Sequence, residues 1–169
     1  LSVDVEEKIP YSIKNAELYT LKREGSSIVI DGVTVRTPLV GLFNVSNAIA
    51  AISCARAFGI SMRTIENAFA SLPPIRGRVE QFNSPKDARH HFTAIVDYAH
   101  TADSLLKLYG AFPKERKICI LGNTGGGRDA WKRPEMGRIA GEHCDAVILT
   151  NEDPYDEDPR AIVEAMRKG

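Results

Sequence analysis

The sequence has no excess charge, no long apolar run and no complete phosphate-binding signature, and each gap narrows what the chain can be. Its 22 basic residues balance 22 acidic ones, so no general pull toward nucleic acid or an anionic membrane follows. No apolar stretch approaches the ~18 residues of a membrane span, and no charged-then-apolar leader is present. Cysteine is scarce and odd in number. Cys54, Cys119 and Cys144 are widely spaced, each within an apolar stretch, which is the pattern of buried free thiols in a reducing, cytoplasmic setting. His90, His91 and His143 carry no metal-ligand spacing, and no G-x-x-x-x-G-K-[ST] occurs. The chain starts at Leu1 rather than Met and stops at Gly169 directly after a helix-like pattern, so both ends read as cuts through a longer protein.

What is present is ordinary globular composition, 43% hydrophobic and 26% charged, in 169 residues, enough for one domain or two small ones. From Tyr11 to Leu39 apolar and polar residues alternate, with turns at Gly25 and Asp31-Gly32, which predicts a small antiparallel meander. The period then becomes helical. Val45, Ala48, Ile49, Ile52, Ala55 and Ala57 form a broad stripe ending near Gly59, and a second helix capped by Ser61 is stopped by Pro73-Pro74.

After that break come a short strand "VEQF" and three apolar strands, "FTAIVDYA", "KICIL" and "DAVILT". They are interleaved with helices capped by Thr101, begun around Pro134 and capped by Asp158. Strands alternating with helices argue an α/β fold with a parallel sheet covered on both faces. A domain boundary is placed at Pro73 to Arg78.

The loop after "KICIL" has two near-matches to phosphate signatures. Gly122 and Gly127 have P-loop spacing, but Arg128 and Asp129 stand where Lys and Ser or Thr should follow. Gly125, Gly127 and Ala130 fit the looser dinucleotide fingerprint, with Glu152 near the ribose-acid position, yet Pro134 starts the helix too late for its N-terminus to face a pyrophosphate. What remains is a loop at the carboxyl end of a parallel strand bearing Arg128, Lys132 and Arg133, suited to an anion such as a carboxylate held by Arg128.

Four motifs occur in one order: "GLFNVSNAIAA" (41–51), "IRGRVEQF" (75–82), "VDYAHTADSL" (96–105) and "GGGRDAWKRPEMG" (125–137). Together they resemble the Mur ligases, and among them the MurE type that adds the third residue of the peptidoglycan stem peptide. The resemblance implies that residues 1–76 are the tail of a central ATP-binding domain, and 77–169 most of a Rossmann-like C-terminal domain. The P-loop would then lie upstream of Leu1.

The same resemblance implies site residues. Asn44 and Asn47 would meet the adenine side of ATP, Arg78 would reach ATP on domain closure, and Asp97 would bond its ribose, with Tyr98 and His100 in the same motif. Arg128 would take the carboxylate of the incoming amino acid, and the segment holding Glu152, Asp153, Pro154 and Tyr155 would select that amino acid. Ligases adding meso-diaminopimelate usually read Asp-Asn-Pro-Arg there. The missing Arg and the acidic Glu152, Asp153 and Asp156 favour a substrate with a terminal amine, lysine or ornithine.

The implied reaction uses ATP and Mg²⁺, with the metal's ligands upstream, to phosphorylate UDP-N-acetylmuramoyl-L-alanyl-D-glutamate. The amine of the incoming amino acid then attacks the acyl phosphate. No nucleophilic side chain of this chain is required, and the chain alone is expected to lack ligase activity. It is expected to be a cytoplasmic monomer that binds neither nucleic acid nor membrane. The alternatives are another Mur-type ligase, a cyanophycin synthetase or a folylpolyglutamate synthase, or a non-catalytic amino-acid-binding module of the same fold.

Overall fold

A computed structural model describes residues 8–127 and 129–169, and the chain divides into two units, Leu1–Asp97 and Tyr98–Gly169. In the first, β1 (Leu18–Lys22), β2 (Gly25–Ile30) and β3 (Val33–Thr37) form the expected antiparallel meander in the order β1-β2-β3. Asp31 and Gly32 both take left-handed φ values, 50° and 71°, which makes the two-residue turn that matches the twist of the flanking strands. The β pattern does not extend back to Tyr11. Ser12 caps a single 3-10 turn over Ile13–Asn15 by accepting from the Lys14 N–H, and Asn15 bonds back to the Ser12 N–H.

Two helices cover this sheet, α1 (Leu42–Ala57) and α2 (Met62–Ala70), the latter capped by Ser61 as its sequence predicts. Ile28, Ile30 and Val35 meet Val45, Ala48, Ile49, Ile52 and Ile65 in one core. Ala57 and Cys54 fall outside it. Cys54 lies two residues beyond buried Ile52, about 200° around the helix, so it faces solvent rather than the core. The unit ends with an antiparallel pair, β4 (Glu80–Asn83) and β5 (Thr93–Val96).

The second unit holds α3 (Ala102–Gly110), β6 (Ile118–Leu121), α4 (Lys132–His143), β7 (Ala146–Leu149) and α5 (Pro159–Arg167). Thr101 and Asp158 cap α3 and α5, and Pro134 sits in the first turn of α4, where a missing N–H costs little. β6 and β7 pair in parallel, Ile118 opposite Ala146 and Leu121 opposite Leu149. All three helices contribute to one core on one face of this pair, where Leu105, Met136, Ile139, Ala140, Ile162 and Met166 meet the sides of Cys119, Leu121, Val147 and Leu149. The sheet of this unit is therefore covered on one face only. Ile118, Ile120 and Ile148 on the other are 67%, 72% and 53% exposed. The first of the three apolar strands of the sequence pattern, β5, pairs antiparallel with β4, because residues 84–92 turn the chain straight back.

Candidate functional site

The carboxyl ends of β6 and β7 lie side by side, and each runs into a long loop, 122–131 and 150–158. This is the edge at which open α/β sheets take ligands. The two loops are joined along their length. The Thr150 N–H donates to the Leu121 carbonyl at 2.9 Å, and the Gly125 N–H to the Asp153 carbonyl at 3.1 Å. Gly127 N–H donates to Glu157 Oε1 at 3.1 Å.

The glycines make that fit possible. A Cβ on Gly125 would run into the Pro154 carbonyl, and one on Gly126 would lie 3.1 Å from the Tyr155 ring. The surface these glycines approach closely is the neighbouring loop. Within that loop Asp153 and Tyr155 adopt φ values of 33° and 52°, left-handed conformations that cost non-glycine residues roughly 1–3 kcal/mol each.

Arg133 is the centre of the arrangement. It is 5% exposed, and its Nε donates to Asn123 Oδ1 at 3.0 Å. Nη1 and Nη2 donate to the two carboxylate oxygens of Glu157 at 2.8 and 3.2 Å, and Nη2 also to the Thr124 carbonyl at 3.2 Å. This forked pairing, followed by the Gly127 N–H, holds the Glu157 carboxyl below the ordinary glutamate range. Arg133 is thus spent on the loops themselves, not presented to an anion as its place in the basic loop suggests. Nothing in the sequence pairs it with Glu157, 24 residues on. A buried-helix position for an arginine is the only local hint.

Glu152, Asp153, Tyr155 and Asp156 are exposed on the same loop, with Pro154 half-buried, so the acidic groups face solvent at the sheet edge. A shallow groove beside them is lined by Thr150, Asn151, Arg160 and Glu164. Arg160, which the motif reading leaves out, is a cation placed there. Arg128 lies outside the described residues.

The remaining residues fall into two groups. In the first unit, Asn44 is buried in the first turn of α1 and donates from Nδ2 to the Val40 carbonyl at 2.9 Å, fixing the approach to the helix rather than capping it. Asn47 is exposed one turn on, its Nδ2 3.4 Å from Asn44 Oδ1. Asp97 Oδ2 accepts the Val79 N–H at 2.7 Å, which brings the exposed Arg78 to a tight turn beside that carboxylate. Val79 there has φ 50° and Gly77 64°. In the second unit, His100 Nδ1 is 2.9 Å from the Tyr98 carbonyl, and the two rings are 4.9 Å apart. Among the described residues no group of three His, Cys, Asp or Glu is placed to hold a metal ion, and no helix is long and apolar enough to cross a membrane.

A parallel strand pair with clamped loops at its carboxyl edge, helices on one face and an acidic rim place this unit in the Rossmann-like α/β class. Residues 77–169 match the family model of the Mur ligase, glutamate ligase domain, and the chain belongs to the Mur ligase family. It is similar to a protein named UDP-N-acetylmuramoyl-L-alanyl-D-glutamate--2,6-diaminopimelate ligase from Thermosynechococcus vestitus, 41% identical over 80% of this chain and 27% of that protein. A protein of the same name from Chlorobaculum tepidum is 38% identical over 89% of the chain and 30% of its own length. The chain thus spans less than a third of these relatives. The fold is also that of a Mycobacterium tuberculosis folylpolyglutamate synthase complexed with ADP, at a TM-score of 0.68 and 20% identity over 89% of this chain and 34% of that one.

Proposed function

We propose that this chain is part of an ATP-dependent acid–amino-acid ligase that adds the third amino acid to UDP-N-acetylmuramoyl-L-alanyl-D-glutamate in peptidoglycan synthesis. One observation carries the reading: the clamped loop pair at the β6–β7 edge, bearing the family's amino-acid segment on an exposed acidic rim. The names of the relatives support the acceptor and the reaction. Residues 1–76 belong in this reading to the ATP-binding domain and 77–169 to the amino-acid domain.

In the first unit Asn47, Arg78 and Asp97 offer an amide, a guanidinium and a carboxylate of the kinds that bind adenine, phosphate and ribose hydroxyls. Tyr98 and His100 follow in the same motif. ATP would supply the phosphoryl group that activates the acceptor's carboxylate. Arg78 would neutralise phosphate charge, and the second unit would present the amine of the incoming amino acid, with Arg128 on its carboxylate. Mg²⁺ would accompany ATP, its ligands coming in this reading from the rest of the enzyme. The enzyme acts as a cytoplasmic monomer.

For the third residue we favour lysine or ornithine over the diaminopimelate of the relatives' names. Tyr155 stands where a distal carboxylate would need an arginine, and its ring packs on Gly126. Glu152, Asp153 and Asp156 add negative charge that attracts an ammonium group.

The test is phosphate release by the full-length polypeptide carrying these residues, with ATP, the muramoyl dipeptide and a panel of amino acids. Release that depends on the dipeptide and is fastest with lysine or ornithine is expected, and none from the 169-residue chain alone. Glutamylation of folate without use of the dipeptide would overturn the ligase assignment. A strong preference for diaminopimelate would overturn only the choice of amino acid.

A further inference from the structure

We propose that the Arg133–Glu157 pair is the positioning device of the amino-acid site, holding residues 152–156 in their binding conformation against the glycine loop before substrate arrives. This rests on the ligase reading and deepens it, since it concerns how the same site is set. Arg133 is too buried to meet a substrate, so any influence on binding passes through the segments it ties.

Those segments are two, the loop after β6 and the loop after β7. Its Nε fixes the Asn123 side chain at the end of β6, Nη2 fixes the Thr124 carbonyl, and the fork grips Glu157 in the loop after β7. Glu157 in turn accepts the Gly127 N–H, next to Arg128. One buried cation therefore sets both halves of the site, the glycine loop that precedes Arg128 and the acidic rim. The rim needs such a hold. Asp153 and Tyr155 keep left-handed backbones that a released loop would abandon, and Gly125 meets the Asp153 carbonyl only while they do.

A lysine at position 133 cannot replace the fork, because its single ammonium cannot reach Asn123, Thr124 and both Glu157 oxygens in one plane. Glu157→Gln is the milder variant. It keeps the shape and an acceptor for Gly127 while removing the charge that holds the guanidinium.

Both variants are made in the full-length polypeptide, and the KM for each of the three substrates is measured with kcat, lysine being the amino-acid probe. The expected result is a KM for lysine raised roughly tenfold or more in Glu157→Gln, more still in Arg133→Lys. The KM values for ATP and dipeptide stay within about twofold, and kcat falls less than the lysine KM rises. Equal rises for all three substrates, or a lowered melting temperature with an unchanged lysine KM, would overturn the inference. Hydrogen exchange on the 169-residue chain gives a second, activity-free readout. Faster exchange of the Gly125 and Gly127 amides in Glu157→Gln is expected, and unchanged exchange there counts against the clamp. Should the wild type show no amino-acid-dependent turnover, the ligase reading fails instead, and the exchange measurement still decides whether the pair fixes the loop.

Discussion

The two units use glycine and charge in opposite ways. In the first, Gly32 turns a hairpin into open space, and the exposed Arg56–Asp31 pair lies on the surface. In the second, Gly125 lies flush against the Pro154 carbonyl, Gly137 against the Met166 carbonyl, and the Arg133 side chain is 5% exposed. An antiparallel meander settles its register through short turns between neighbouring strands. A parallel pair needs a crossover helix, so its loops are settled by segments distant in sequence. The first unit should therefore tolerate local changes that the second does not.

The largest effects expected on stability come from the two cores. Ile139 is fully buried between α3, α5 and the sheet, and Ile139→Ala should destabilise the protein by about 2–5 kcal/mol. Ile49→Ala in the first core should cost a similar amount, because burial there is as complete. Denaturant titration of the two variants checks this. A much smaller loss at Ile139 would mean that the one-sided sheet of the second unit can collapse around the cavity.

The same contrast governs what was legible in the sequence. The caps at Ser61, Thr101 and Asp158 follow from residue type, because a cap bonds an N–H only two or three residues away. The Asp31-Gly32 turn is local for the same reason. The alternation before Ala16 failed to make strand because Ser12 and Asn15 bond each other's backbone first. The place of residues 152–155 at a strand end was legible, as was the loop that precedes α4. The role of Arg133 was not, since its partner lies 24 residues away and neither residue signals the other. The bare outer face of β6 and β7 was equally hidden. Ile118, Ile120 and Ile148 are apolar like the residues that alternate with them, so no period distinguishes the covered side.

A smaller effect should separate the two kinds of glycine. Gly125→Ala forces the two loops apart and should cost about 3 kcal/mol, near the top of the ordinary range for one substitution. It should also raise the amino-acid KM. Gly32→Ala adds a methyl group to open space, so only its left-handed φ opposes it, at about 1 kcal/mol. Thermal melts of both variants with amino-acid kinetics test the difference. Equal losses would show that loop contact adds nothing to backbone strain.

The smallest and most selective comparison is aspartate to asparagine at two left-handed positions. Asp31→Asn loses an exposed ion pair with Arg56, worth under about 1 kcal/mol, but asparagine is well suited to the first position of this turn. The two effects oppose each other, so stability should move by less than about 0.5 kcal/mol. At Asp153 the backbone argument is the same and no ion pair involves the carboxylate among the described residues, so stability should again be nearly unchanged. What differs is position. Asp153 lies on the acidic rim, where a carboxylate attracts a terminal ammonium, and Asp153→Asn removes that charge while keeping the shape. The expected result is a several-fold fall in kcat/KM for lysine with little change for an amino acid lacking a terminal amine. An equal fall for both would assign Asp153 to the shape of the loop and leave amine recognition to Glu152 and Asp156.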